Sequence, residues 1–581
     1  MIKVRFDDYL SKSAYGFINP VEVLETYDLE SVKSIFNKVQ DYIDHDEFYI
    51  AGFISYEAAT AFDTSLQTQR SSSSIPLVWL TVFEQVENLE FLTKNTETPI
   101  LNWELNITEE EYLESFNYVQ NQITQGNTYQ VNLTSLYKSN DITDSFVLYR
   151  DLVFEQRGSY NSYVDTDKFS IISVSPELFF SLKDKNLTTK PMKGTIQRGR
   201  TLREDTRNYN LLNNSAKDKS ENLMIVDLIR NDLGRIAKYG TVKTPDTFSV
   251  QRLKTLWQMT SEITCELNSE MGLFEIFQAL FPCGSVTGAP KASTMKIIKD
   301  TEPEGRGLYC GAIGYIVPKD SPMESRFSVA IRTVVLDKKT NSAYYGSGGA
   351  ITFDSDMKSE FAELKAKSNI LLPKNMPSGL FETMRFELSK GIIHLERHLK
   401  RLMYSLEYFG IDFKESAIRD SIDQYCCEMK ETMRIRLDVD RYGKHKMNAQ
   451  KFNDTDEVRK VILHDEPIYS NNIFNFHKVA DRSLFENIKR HWQSYNDVIL
   501  YNERGHVTQS LMANVVVLLN DNWVTPPIEC GLLPGIYREV LLERGDIIEG
   551  IITVEDFFTA EAIALINSLR GWKRAARSTG N

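Results

Sequence analysis

Cysteine is scarce and scattered. The six in 581 residues, Cys265, Cys283, Cys310, Cys426, Cys427 and Cys530, form no CxxC pair and have no histidines at zinc-like spacing. That excludes a disulfide scaffold and a zinc ribbon, and the thiols read as reduced core residues. Long apolar runs are missing too, and the opening MIKVRFDDYLSKSAYGF carries acids early with no apolar leader core. The expectation is a cytoplasmic protein without a membrane partner. Positive charge is in deficit, with 67 Lys and Arg against 80 Asp and Glu and a net charge of −13. Nucleic acid needs a basic face, so it is not expected as a partner, and an anionic ligand would need local positive patches. Neither an internal repeat nor a low-complexity tract is found.

What is present is ordinary globular composition, with 42% apolar, 11% aromatic and 25% charged residues. The length exceeds what one core supports, so two to four domains are expected. Stretches such as EFYIAGFISYEAA and FSIISVSPELFFSLKD are rich in β-branched and aromatic residues. ITEEEYLESFNYVQNQITQG has helical spacing and stops at Gly126. There is no regular βαβ alternation, so the fold class is α+β. In LLPKNMPSGLFETMRF, Pro373 and Pro377 bracket a polar stretch, which puts a domain boundary between 1–372 and 378–575. The second part opens with a strand and hairpin, continues through a helix, and ends in short strands with turns at NERG and LNDNW.

One lysine stands out. PMKGTIQRGR, from Pro191 to Arg200, puts Lys193 between a methionine and a Gly-Thr turn. Alone it reads as a solvated turn residue. Its company is SENLMIVDLIRNDLGR, FPCGSVTGAPKAS, GAIGY, AIRT, YGSGGAI and SEFAELKAKS, in that order. GSVTGAPK is not a phosphate loop, because only three residues separate Gly284 from Gly288 and Ala-Pro precedes Lys291. Gly288, Ala289 and Pro290 read as a helix N-terminus, whose free N–H groups attract anions. Arg332 reads as a strand end, and Gly346 to Gly349 permit close backbone approach. Glu360 and Glu363, three apart on a helix, share a face, either solvated and paired to Lys367 or turned toward a cation. Glu221 reads as opening a helix capped by Ser220. Glu177, in SVSPELFF, either begins a turn or serves chemistry.

This series resembles the chorismate-utilising enzymes, and among them the aminodeoxychorismate synthases, over nearly all of residues 1–370. GFISYEAATAFD and GNTYQVNLT are similar to that branch as well. Anthranilate synthases usually carry alanine where Lys193 stands, and their LLES stretch is not found. The resemblance implies two packed β-sheets flanked by helices, and chorismate as substrate. It makes Lys193 the nucleophile at ring carbon C2, so that ammonia enters at C4, with Glu177 as general acid or base. It implies Mg²⁺ on Glu221 and Glu363, with Glu360 at or beside the ion. Substrate contacts then fall to Thr195, Gly288, Ala289, Tyr309, Arg332, Gly346, Gly348, Gly349 and Lys367. Attack needs a neutral amine, although a free lysine titrates near 10.4. Burial and nearby cations, Mg²⁺ with Lys190 or Arg198, are expected to favour the neutral form. No cysteine sits in a Gly-rich nucleophile turn, so ammonia is expected from a separate glutamine amidotransferase subunit.

From residue 378 onward the chain resembles fold-type IV pyridoxal-phosphate enzymes, particularly the aminodeoxychorismate lyases. The carrying stretches are GLFETMRF, HLERHLKRL, FHKVADR, LYNERGHVTQSLMANVVV, TPPIECGLLPGIYRE and NSLRG. The resemblance implies that Lys478 carries pyridoxal 5′-phosphate and that Arg401, Gly535 and Ile536 hold its phosphate, with Asn567 and Ser568 completing the cradle. Two positions depart from the pattern. Gln509 stands where the family has a glutamate that keeps the pyridine nitrogen protonated, and Phe485 where many members have tyrosine. The expected function is amination of chorismate followed by loss of pyruvate to give 4-aminobenzoate for folate biosynthesis. The alternatives are a synthase with a noncatalytic or docking C-terminal module, and an anthranilate- or isochorismate-type synthase joined to an amino-acid aminotransferase.

Overall fold

The computed structural model describes residues 2–45, 48–71, 74–93, 101–253, 256–319, 321–371, 376–454 and 457–578. Pro373, one of the two prolines at the expected boundary, lies outside these residues, whereas Pro377 is among them. The chain divides into two compact units, one of residues 1–198 and 208–374, the other of 199–207 and 375–581. Among the described residues no helix is long and apolar enough to cross a membrane.

In the first unit the expected pair of sheets is continuous in its hydrogen bonding, since ladders join eighteen strands into one network. The strand Ser342–Ile351 pairs along its length with Gln130–Ser139, bringing Gly348 opposite Thr134 and Gly346 opposite Leu136. Helix Glu109–Thr124 begins in a capping box at Thr108, and Gly126 follows its C-cap at φ +75. It buries Tyr112, Phe116, Val119 and Ile123, the helical spacing of an inward stripe. A second cluster gathers Phe36, Phe62, Phe277 and Phe281. A buried ion pair staples the loops beneath the site. Arg306 meets Glu302 at 2.6 Å and donates to the carbonyls of Val286 and Asn132 at 2.8 and 2.7 Å. With its carboxylate and both carbonyls supplied, that guanidinium meets the conditions under which a buried charge is tolerated.

The second unit has a small sheet and a large one. Gly379–Glu387 pairs with the hairpin strand Gly391–Ile392 and with Met433–Asp440, which pairs onward to His445–Lys451. Helix Leu395–Phe409 lays Leu399, Leu402, Leu406 and Phe409 into that sheet's core and ends at Gly410, φ +67. The eight-stranded sheet turns at Asn502–Gly505 and Asn520–Asp521, within the expected NERG and LNDNW segments. The six cysteines are free thiols, but not all belong to the core: Cys427 is exposed and Cys426 half-buried, because both lie at the end of helix Glu415–Cys426.

Two candidate active sites

In the first unit a cavity of about 340 Å³ collects Glu177, Lys193, Glu221, Glu360, Glu363 and Lys367. Lys193 lies on Met192–Gln197, whose pairing with Leu256–Glu266 shifts register between Met192 and Thr195. Such a bulge re-aims a side chain out of the pleat. Gly194 makes it possible, with φ +89 and a position where a Cβ would lie 3.0 Å from Asp218. Asn222, buried on helix Ala216–Gly234, donates to the Lys193 carbonyl at 3.4 Å and accepts from Ser261 at 2.5 Å. The Lys-Gly pair that looks like a surface turn is thus a clamped bulge lining a cavity.

Burial pulls the Lys193 amine down, and the charge of Lys367 pulls it further, while Glu221, Glu177 and Glu363 pull the other way. The helping cation is therefore Lys367. Lys190 instead pairs with Glu262 at 3.7 Å, and Arg198 lies over Trp257 and donates to the Leu253 carbonyl. Glu177 is buried in the turn before strand Leu178–Lys183, so the turn reading and the functional reading are compatible. Burial raises its carboxyl to about 7, against the Ser285 hydroxyl donating at 2.6 Å and the charge of Lys193. A carboxyl near 7 can both give and take a proton at neutral pH.

The acids opposite are crowded. A Cβ on Gly349 would come within 3.1 Å of Glu360 and 3.8 Å of Glu363, so glycine leaves room for both carboxylates. Burial raises Glu360 and Glu221, and the charge of Glu363 adds to both. Burial opposes Glu363 as well, but Lys367, bonded at 2.7 Å, brings it below its usual range. Among the described residues no three acids, histidines or cysteines form a ready-made metal group. Magnesium needs only one or two carboxylates beside substrate and water oxygens, so these mutually repelling acids fit it.

Thr195, Tyr309, Arg332, Gly346 and Gly348 also line the cavity. Gly346 has no room for a side chain, since a Cβ would strike the Tyr309 ring at 2.1 Å. Three expectations change. Arg332 does not end a strand; it sits at φ +52 before Thr333–Asp337 and donates to the Lys367 carbonyl at 2.7 Å. Gly288 and Ala289 precede helix Lys291–Thr301 as expected and pair with Val131 and Gln130, but they are not part of the cavity wall. Ser220 does not cap the helix of Glu221. Ser215 does, accepting from the Asp218 N–H, while the Ser220 hydroxyl donates back to the Ala216 carbonyl. Ser285, Asn132 and Asp218 line the cavity without having been read from the sequence; a serine inside a glycine-rich buried turn was the available signal for the first.

In the second unit, Lys478 follows the short turn Ile473–Asn475. Its carbonyl accepts from the Phe381 N–H at 3.0 Å, and Leu380 bridges Val479, so this segment is fastened to strand Gly379–Glu387. Burial lowers the Lys478 amine to about 7, helped by the charge of Arg401 and opposed by Glu382. Arg401 is gripped by Glu382 at 2.7 and 2.9 Å and donates to the Pro534 carbonyl at 3.0 Å. Glu382 also holds His398 at 2.8 Å, both side chains being almost wholly buried. Neither Glu382 nor His398 had been singled out in the sequence, although both stand in the quoted segments. Replacing Glu382 by Ala strands a buried guanidinium, and we expect it to cost about 3–5 kcal/mol. The check is a denaturant midpoint compared with wild type, and an unchanged midpoint would refute the anchoring role.

Gln509 is buried and its Oε1 accepts from the Leu533 N–H at 3.0 Å. Gly535 caps helix Ile536–Arg544, and a Cβ there would lie 1.8 Å from Asn514. Arg401, Gln509 and this helix start therefore converge on Leu533–Ile536. An arginine beside a nine-residue helix's free N–H groups, near a lysine titrating at about 7, fits a phosphate-bearing aldehyde cofactor. Asn567 is committed elsewhere, its Oδ1 accepting from the N–H groups of Leu569 and Arg570, and Ser568 occupies the turn that follows.

An amine drawn down by burial, sharing a cavity with an acid titrating at about 7 and repelling carboxylates, is equipment for nucleophilic and acid–base chemistry beside a cation. Residues 6–373, more than half the chain, match the chorismate binding enzyme family, and the chain belongs to that family. Residues 379–577 match the amino-transferase class IV family. Aminodeoxychorismate synthase component 1 of Escherichia coli is 36% identical over 287 residues, which is 49% of this chain and 62% of that protein. The chain thus spans under two thirds of that relative's length. The Bacillus subtilis protein of the same name is 30% identical over 359 residues, 61% of this chain and 73% of that one. Anthranilate synthase component I from Streptococcus pneumoniae superposes with a TM-score of 0.55 at 21% identity, covering 62% of this chain and 92% of that one, a likeness of fold.

Proposed function

We propose that the chain, as 1–372 and 378–575, aminates chorismate to 4-amino-4-deoxychorismate and then eliminates pyruvate to give 4-aminobenzoate. The observation that carries the first half is the Lys193 amine, drawn toward neutrality in one cavity with Glu177. Magnesium, held by Glu221 and Glu363 with Glu360 beside them, supplies a Lewis acid for the substrate's ring carboxylate. Lys193 Nζ bonds to ring carbon C2, both ring double bonds shift (C1=C2 to C1=C6 and C5=C6 to C4=C5), and the C4–O bond breaks. Glu177 gives its proton to the departing oxygen, which leaves as water. Ammonia then bonds to C4, the C2–N pair returns to Lys193, and the Glu177 carboxylate takes the surplus proton from the new ammonium group. The ammonia would come from a separate glutamine amidotransferase.

Glu177 must be protonated to act on the leaving oxygen, so activity should fall as pH rises through about 7. Ser285 donates to the Glu177 carboxylate and thereby stabilises its charged form. Ser285→Ala should raise the Glu177 pKa, moving the falling limb of kcat/KM upward by about one pH unit. A limb that stays in place would remove Glu177 from that step.

In the second half, pyridoxal phosphate carried on Lys478 supplies an electron-withdrawing ring to the substrate amine. Arg401, braced by Glu382, and the N–H groups opening helix Ile536–Arg544 hold the phosphate. The Gln509 amide has its oxygen engaged by Leu533, leaving its N–H₂ to donate, which suits an unprotonated pyridine nitrogen. Lys478 Nζ takes the proton from ring carbon C4, aromatisation drives the C3–O bond to break, and the released enolpyruvate takes a proton from the Lys478 ammonium and leaves as pyruvate. The deciding experiment gives the protein chorismate, ammonium and Mg²⁺, with and without pyridoxal phosphate, and identifies the products. We expect 4-aminobenzoate only with the cofactor; 2-aminobenzoate would overturn the assignment of the first site. Gln509 favours one rival, in which residues 378–575 form a docking module, and protein that stays colourless in pyridoxal phosphate would establish it.

A further inference from the structure

A second cavity, of about 540 Å³, lies wholly within the second unit; Asn567, expected in the phosphate cradle, lies in its wall, while Lys478, Arg401 and Gln509 do not line it. Its wall carries Arg459, Arg482, Arg570 and Lys573. Among the described residues neither Arg459 nor Arg482 has a carboxylate within ion-pairing distance, Arg482 donating instead to the Leu511 carbonyl at 2.6 Å, while Arg570 and Lys573 both reach Asp454, at 3.8 and 3.0 Å. Burial and the charge of Arg459 push the Arg570 guanidinium down, and burial with the charge of Arg436 does the same to Arg482. Two acids also face the cavity, but Asp497 is consumed by the Ser510 hydroxyl and the N–H groups of Val498 and Leu511, and Glu486 is exposed. The cation excess in this wall is therefore real, in a protein whose net charge is −13.

The wall also has an apolar part, made by Phe485, Leu511, Met512, Ala513 and Leu565. Inorganic anions gain nothing from such a surface, whereas a flat ring with a carboxylate uses both parts. The cavity also adjoins the lysine of the second site. The Phe381 ring lies 4.8 Å from Lys478 Nζ and 5.8 Å from the Arg482 guanidinium, and Arg482 follows Lys478 by four residues.

We infer that this cavity is the docking site for the carboxylate-bearing ring handled by the second unit, with Arg459 and Arg482 as the groups that select it. The inference rests on the lyase reading for the identity of the ring, and on the cavity alone for its chemistry. Phe485 then acquires a use: where a tyrosine would add a hydroxyl, phenylalanine keeps the ring-facing wall apolar, and Arg482 lies 4.9 Å over it.

The test is equilibrium dialysis of 4-aminobenzoate against the full chain without pyridoxal phosphate, so that binding is read apart from turnover. Saturable binding should weaken at least tenfold in Arg459→Met and in Arg482→Met, and Arg459→Lys should recover part of the loss. Lys193→Ala should leave this binding intact, which separates it from the first cavity. Circular dichroism melts identify variants that have not folded, and Arg459→Lys then decides. Unchanged affinity in a folded Arg459→Met, Arg482→Met double variant would overturn the inference. So would equal competition by inorganic phosphate, which would make the cavity a general anion site. Absence of lyase turnover together with normal, arginine-dependent binding would count against the lyase reading and leave the cavity assignment standing.

Discussion

Lys193→Ala should abolish 4-amino-4-deoxychorismate formation, with kcat falling by about a thousandfold or more while the fold persists. The size follows from what is lost. The nucleophile that divides one difficult displacement into two easier ones is gone, and general acid assistance of the order of 10²–10⁴ cannot replace it. The fold should survive because among the described residues Lys193 makes no side-chain hydrogen bond; what fastens the bulge is its carbonyl, held by Asn222, and the left-handed Gly194. Removing a buried amine facing Glu221, Glu177 and Glu363 should also shift the acids. The Lys193 charge lowers Glu177, so its loss moves that carboxyl further above 7. The assay is chorismate with ammonium and Mg²⁺, with the aromatic or dienyl product identified by chromatography. A trace of the ortho isomer is compatible, because ammonia or water could then reach C2 directly. Wild-type output from Lys193→Ala would eliminate the covalent role.

The contrast between what could be read in the chain and what could not has a physical pattern. The ordered segments around Lys193, Glu221, Arg332, Gly346 and Glu363 were legible through their joint resemblance to the chorismate-utilising enzymes, since taken alone Lys193 reads as a solvated turn residue and Glu360 with Glu363 as a face that could equally be solvated. The contacts that set their chemistry are long-range. Ser285 reaches Glu177 across 108 positions, and Lys367 depresses Lys193 from 174 residues further along, while the nearer Lys190 and Arg198 are turned away to Glu262 and Trp257. Sequence neighbours on a strand alternate faces, so proximity in the chain is a poor guide to which cation a lysine meets. The helix carrying Glu221 illustrates the same limit at shorter range. Ser215 and Ser220 are both plausible caps, and only the Ser215 hydroxyl finds an N–H, that of Asp218. Gly288 and Ala289 read as anion donors from their place before a helix, yet they pair with Val131 and Gln130 and are not part of the cavity wall.

Lys478→Ala should remove any yellow absorbance that wild-type protein develops with pyridoxal phosphate, and pyruvate release should fall to the uncatalysed level. On the proposed reading two separate roles end with one side chain, since Lys478 would both carry the cofactor and, with its amine at about 7, exchange the substrate proton at neutral pH. The phosphate grip of Arg401 and the N–H groups opening helix Ile536–Arg544 remain in the variant, so noncovalent cofactor binding should persist, detectable as quenching of tryptophan fluorescence. Gln509→Glu tests the other end of the ring. A carboxylate there favours a protonated nitrogen, so the absorbance maximum should move and pyruvate release should rise if the ring's electron demand limits turnover. The Leu533 N–H, which now donates to the glutamine oxygen, would donate equally to a glutamate, so the substitution changes charge without removing a bond. Wild-type protein that gains no colour, together with Lys478→Ala indistinguishable from it, would leave the second unit without this chemistry and confine the enzyme to the amination carried by Lys193.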